Sequence, residues 1–232
     1  MRRGLINEGP ELREATGRIP EETYEAKLPT EWWKEEWNEM ETWREGRLFC
    51  ASDGSGDFPR EERLRRCGYA LYYGPGHPWN CASALGGQVQ TVPRSELRIL
   101  LDIVPRLQVP TTVLCDCLGV VQGTNAILRG EDPRVKEHWD LRSLIQKELK
   151  ESGNAENLEV EKVKAHLTED DVKNGIIGAD EWRLNNEVDE DAKVAGKIQR
   201  LPQKNIDELQ RKVAISVLVQ KNVRGHLEPE AR

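Results

Sequence analysis

The stretch Arg47-Leu-Phe-Cys-Ala-Ser-Asp-Gly-Ser55 decides the fold. Residues 47–52 form an apolar, strand-like run that leads straight into Asp53-Gly-Ser-Gly56, which reads as a turn. A carboxylate at the end of a buried strand stands where open α/β sheets place their ligands.

Residues 67–73 (CGYALYY) and 79–86 (WNCASALG) are two further strand-like runs. They are separated by Gly- and Pro-containing turns, and with 47–52 they predict an antiparallel meander. The loop 57–66 carries Arg60, Arg63, Arg65 and Arg66, read either as solvated or as phosphate contacts. The period then changes. Helices are expected over 93–107, 120–128, 135–150 and 186–197, with strands at Thr111–Cys115 and 158–164. The result is an α/β class with a five-stranded mixed sheet, a meander plus parallel strands, flanked by helices.

The flanks are helical extensions. Residues 1–28 are polar and aperiodic and read as a flexible lead-in. Thr30 is expected to cap a helix bearing a Trp33, Trp37, Met40 stripe and ending at Gly46. That stripe would pack on the main domain or meet a partner. A last helix over 203–222 carries Ile206, Leu209, Val213 and Val217 on one face and Lys/Arg on the other. It reads as packed on the domain, as a remnant of a next segment, or as a basic grip on nucleic acid. Three segments follow: 1–45, 46–195 and 196–232.

Net charge is −7, which by itself speaks against a nucleic-acid partner. The charge is uneven, at −5 over 1–45, −6 over 46–195 and +4 over 196–232. Divalent ions bound in the middle segment would offset its acidity. The five cysteines are odd in number and scattered, and no apolar run suggests a secretory leader or a membrane span. An intracellular location, cytoplasmic or nuclear, with no membrane partner is the expectation. Zinc at Cys115-Asp116-Cys117 is disfavoured.

Four carboxylates carry the chemistry. Asp53 and Asp116 end strands, Glu96 sits in the first turn of a helix, and Asp189 opens the last helix of the domain. Gathered together they repel one another unless a cation lies between them. Hard Mg²⁺ ions suit such oxygen ligands. Two of them support phosphodiester hydrolysis by activating water and stabilising the leaving oxygen. The bland alternative is four ordinary surface or helix-capping residues.

These residues sit in motifs. They are Ser-Asp53-Gly-Ser, Thr91-Val-Pro-Arg94-Ser-Glu96-Leu, Val-Leu-Cys-Asp116, Val163-Lys-Ala-His166 and Asn185-x-x-Val-Asp189-x-x-Ala192. Their order resembles the type 1 ribonuclease H family over residues 46–195. The resemblance implies a ribonuclease H-like fold and a two-metal endoribonuclease acting on the RNA strand of RNA–DNA hybrids. Mg²⁺, with Mn²⁺ as substitute, would be held by Asp53, Glu96, Asp116 and Asp189. His166 would assist proton transfer or product release; otherwise it is an ordinary loop histidine. Gly54, Ser55, Thr91 and Arg94 would lie along the substrate, or, for the last two, serve as helix cap and solvated cation. Shape and 2′-hydroxyls would select the hybrid. The insert between His166 and Asp189 is longer than in compact versions and reads as a flap or a substrate-contacting loop. Related domains often follow a reverse transcriptase, which implies such a neighbour here. The rival readings are a non-catalytic interaction module of this fold and a transposase-like nuclease.

Overall fold

The computed structural model describes residues 34–59, 61–165 and 167–225. These fall in two compact units that divide between Gln199 and Arg200. In the first lie β1 (Thr42–Arg44), β2 (Arg47–Asp57), β3 (Arg66–Tyr72), β4 (Cys81–Ala84), α1 (Val92–Ile103), β5 (Thr111–Cys115), α2 (Leu118–Leu128), α3 (Trp139–Ser152), β6 (Leu158–Lys162), α4 (Glu169–Lys173) and α5 (Ala179–Lys197). The second contributes α6 (Gln203–Gly225). Ile206 and Leu209 of α6 are buried, while Ile215, Val217, Leu218 and Val219 are exposed. Only the first half of its expected apolar stripe is covered.

The sheet order is β4-β3-β2-β5-β6, with β1 also paired to β2. β2 runs antiparallel to β1 and β3 and parallel to β5, and β5 runs parallel to β6. This is the mixed α/β sheet with flanking helices expected of a ribonuclease H-like fold, with six strands in place of five. The extra strand arises where a helix was expected to run on to Gly46. Instead a 3-10 turn covers Glu35–Met40, and β1 then folds back on β2 through Glu45 and Gly46, at φ 50° and 76°. Positive φ at both turn residues gives the twist that a two-residue hairpin needs. Thr30 and Trp33 lie outside the described residues.

A second departure concerns Asp53-Gly-Ser-Gly56. The chain does not turn there but stays extended, in register with β3 as far as Asp57 opposite Arg66. Gly54 explains why a glycine-rich segment holds as strand. A Cβ there would fall 3.0 Å from the Val92 carbonyl and 2.9 Å from Glu96 Cγ, so only glycine lets α1 lie this close to β2. Gly68 serves β3 in the same way, since a Cβ would meet Ala195 and Gly196 of α5.

Alternation along the strands sorts the core onto two faces. Leu48, Cys50, Leu71 and Val113 join the cluster that includes Leu97, Leu100, Leu141 and Ile145 of α1 and α3. Phe49, Ala51, Ala70 and Leu114 join Leu184, Val188 and Ala192 of α5 on the other face. The expected helix over 135–150 begins later, at Trp139, after a 3-10 turn at Pro133–Val135 and a left-handed His138. The 168–184 insert is largely helical, with a non-helical link at 174–178. Thr168 and Asp171 form a capping box for α4, and α5 starts at Ala179, well before 186.

Candidate active site

Register alone brings the first two carboxylates together. β5 ends with Cys115 opposite Ser52, so Asp53 and Asp116 are the next residues along two adjacent parallel strands. β2 continues past that point without β5 beside it, leaving an opening at the strand ends. Glu96 enters from the first turns of α1, which the missing Gly54 side chain brings against β2. One carboxylate oxygen from each of Asp53, Glu96 and Asp116 lies within 4.8 Å of the others. Asp189 joins from α5, lining one cleft with Asp53 and Asp116. Leu167, Trp182, Asn185 and Asn186 complete that cleft.

Glu96 is buried, and Asp53 and Asp116 are half-buried. Among the described residues these three form no close ion pair, and Lys162 is the cation whose charge acts on Glu96. Burial, then the charges of Asp116, Glu96 and Asp189, push the Asp53 carboxyl from 3.8 up to about 8. Burial is also the main cause that lifts Glu96 from 4.5 to about 8, opposed by a hydrogen bond from Cys115. That bond, Cys115 Sγ to Glu96 Oε2 at 3.1 Å, fixes the glutamate's orientation. A cation placed among these oxygens would remove the repulsion and reverse the penalty.

The other expected site residues fare differently. His166 lies outside the described residues. The face of Gly54 that lacks a Cβ is filled by α1, which gives this residue a packing role. Ser55 is half-buried on β2 opposite Gly68 and shares Asp53's side of the sheet. Thr91 is the N-cap of α1, its hydroxyl accepting from Arg94 N at 3.3 Å. Arg94 is no solvated cation: it is buried and holds Asp140 of α3 with two bonds of 3.0 and 2.7 Å. In the 57–66 loop, Arg65 and Arg66 donate to backbone carbonyls and Arg63 pairs with Glu61. Lys193, one turn after Asp189, reaches its carboxylate at 2.7 Å.

The motifs give no role to Cys115 or Asn186, and they leave Trp182 within the insert read as a flap or substrate-contacting loop. Strand alternation puts Cys115 on the α1 side of the sheet. The spacing of 182, 185, 186 and 189 is that of one helix face, so this wall of the cleft was available to a period count over the insert.

No protein-family model and no curated protein matches the chain. Among solved structures, the solution structure of the PFV RNase H domain aligns at 16% identity and a TM-score of 0.48, covering 65% of this chain and 94% of that domain. Among the described residues, no helix is long and apolar enough to cross a membrane.

Proposed function

We propose that this chain is a divalent-metal-dependent nuclease that hydrolyses the RNA strand of RNA–DNA hybrids. The observation that carries the reading is the convergence of Asp53, Glu96 and Asp116 at the strand ends, with Asp189 in the same cleft. The four stand in the motif order that resembles type 1 ribonuclease H.

The donor set is all oxygen, short of positive partners and partly desolvated, which suits Mg²⁺ or Mn²⁺. Asp53, Glu96 and Asp116 would hold one ion, and Asp53 with Asp189 a second. Bound ions of this kind supply an activated water and a stabilised leaving oxygen. Cys115 keeps the Glu96 carboxylate turned into the cluster. Asn185 and Asn186 present amides beside Asp189 that can donate to phosphate or ribose oxygens. His166 is assigned proton transfer or product release on its motif alone.

Residues 46–195 are the proposed catalytic segment. β1 and the buried Trp37 argue for extending it upstream. A reverse transcriptase neighbour is proposed from the resemblance only.

The test is cleavage of a labelled RNA–DNA hybrid in Mg²⁺ by the chain and by Asp53→Asn. Metal-dependent cutting of the RNA strand, lost in the variant, is expected. A chain that binds hybrid without turnover would overturn the reading in favour of an interaction module. Cutting of duplex DNA instead would favour the transposase-like reading.

A further inference from the structure

α5 begins ten residues ahead of Asp189, at Ala179, and its extra turns carry Trp182 into the wall of the carboxylate cleft. The indole is half-buried, and its Nε1–H donates to the carbonyl of Leu167 at 3.0 Å. Leu167 lines the same cleft, in the segment that runs out of β6 towards α4. A single indole therefore ties the rim of the cleft to the helix that presents Asp189.

The helix end that carries Trp182 is itself braced. Arg44 of β1 pairs with Glu181 and reaches Asp180 at 3.9 Å, while its guanidinium lies 5.3 Å from the centre of the Phe49 ring. Gly178, just before α5, comes close to that guanidinium, where a Cβ would fall 3.0 Å from Nη2. The first turn of α5 is thus held to the sheet at residues 180 and 181, next to the residue that holds Leu167. A tryptophan whose N–H bonds a loop carbonyl restricts that loop in a way a plain apolar contact does not.

We infer that Trp182 is a positioning residue for the proposed reaction, holding the Leu167 segment at the rim of the carboxylate cleft through its indole N–H. Arg44 acts one step further back, by fixing the helix end on which Trp182 stands. The inference rests on the proposed nuclease reading for its kinetic consequence but not for its structural one. It assigns the insert a purpose: the longer α5 supplies the latch for the rim.

The experiment uses the full chain with Trp182→Phe, which keeps an aromatic ring and removes the donor, and Arg44→Gln. Hydrogen exchange of peptides covering 163–168 is measured beside cleavage of RNA–DNA hybrid in Mg²⁺. Trp182→Phe is expected to speed exchange in 163–168 roughly five-fold, what one neutral hydrogen bond commands. It should lower kcat by a similar factor with KM unchanged. Arg44→Gln should do the same more weakly. A merely structural Trp182 would lower the melting temperature and leave kcat per folded molecule and local exchange as they were, and that result overturns the inference. If the unsubstituted chain cuts no hybrid, the nuclease reading fails, while the exchange comparison still decides whether Trp182 holds the segment. If Trp182→Phe loses its fold, Arg44→Gln decides: wild-type exchange in 163–168 there would sink the latch.

Discussion

Glu41, just ahead of β1, and Asp53, midway along β2, are both carboxylates drawn out of water, and their surroundings differ completely. The Glu41 side chain is fully enclosed. One oxygen accepts from His77 Nε2 at 2.8 Å and the other from Trp43 Nε1 at 2.7 Å. His77 in turn accepts the Trp79 N–H on Nδ1, which fixes the tautomer with its proton on Nε2. Trp37, Tyr73 and Trp79 surround that imidazole with ring centres 5.0 to 5.7 Å away. Asp53 has a backbone N–H at Gly54 and otherwise three more carboxylates nearby. A buried charge whose partners are all supplied is a fastening. A half-buried group of carboxylates that mostly lacks them suits a cation, the role proposed for it.

The largest effect should come from breaking the fastening. Glu41→Ala removes the oxygens that accept from His77 Nε2 and Trp43 Nε1 beside the aromatic cluster. Removing the acceptor from a buried hydrogen bond costs about 1–3 kcal/mol per donor, so denaturant melting should shift strongly. Cleavage per folded molecule should stay the same. An unchanged midpoint would show that the pairing does not hold this corner together.

Asp53→Asn should do the reverse. Cleavage is expected to drop about 100-fold or more, beyond the loss usual for groups that only support metal ligands. Stability in chelator should rise at alkaline pH. The folded carboxyl titrates near 8 against 3.8 in the unfolded chain. Between those values the folded state keeps a proton that the unfolded chain has released. Metal-free stability therefore falls as pH rises through that window and reaches its low plateau above pH 8. The variant should flatten this slope. Mg²⁺ at a hundred times its Kd should stabilise the unsubstituted chain by about 2.7 kcal/mol and the variant much less. Equal melting curves in chelator and Mg²⁺ would show that no ion binds among these carboxylates.

Gly54→Ala tests whether the carboxylate cluster depends on close helix packing. The added methyl meets Glu96 Cγ and the Val92 carbonyl, an overpacking that costs about 1–3 kcal/mol. It should weaken Mg²⁺ stabilisation along with the fold. The smallest change is expected for Arg94→Gln. Asp140, its partner, is 41% exposed, so the loss should be about 1 kcal/mol or less, with hybrid affinity unaltered. A large loss of affinity would return Arg94 to the substrate surface.

The legible features were the local ones. An apolar run that stops at Asp116, or a stripe such as Leu97, Leu100 and Leu101, declares strand end and helix face within a few residues. The four carboxylates could be found because each lies in such an element. β1 stayed hidden because three residues carry no period and the aromatic run around them suited a helix. The Asp53-Gly-Ser-Gly56 segment misled because glycines signal turns locally, whereas here they answer to α1 and β3's neighbours. Arg94 and Trp182 find their partners on other elements, Asp140 and Leu167, which no window along the chain displays.

The register of β2 also sets an order of assembly. Its pairings with β1 and β3 join near neighbours in the chain, whereas its pairing with β5 must close a loop of roughly sixty residues, and Asp189 arrives later still. Closing longer loops costs more entropy, so the hairpins are expected to form first. The gathering of the four carboxylates is then among the last features to exist during folding, and a half-folded chain is a silent one, carrying the residues proposed for metal binding without the arrangement that would hold an ion.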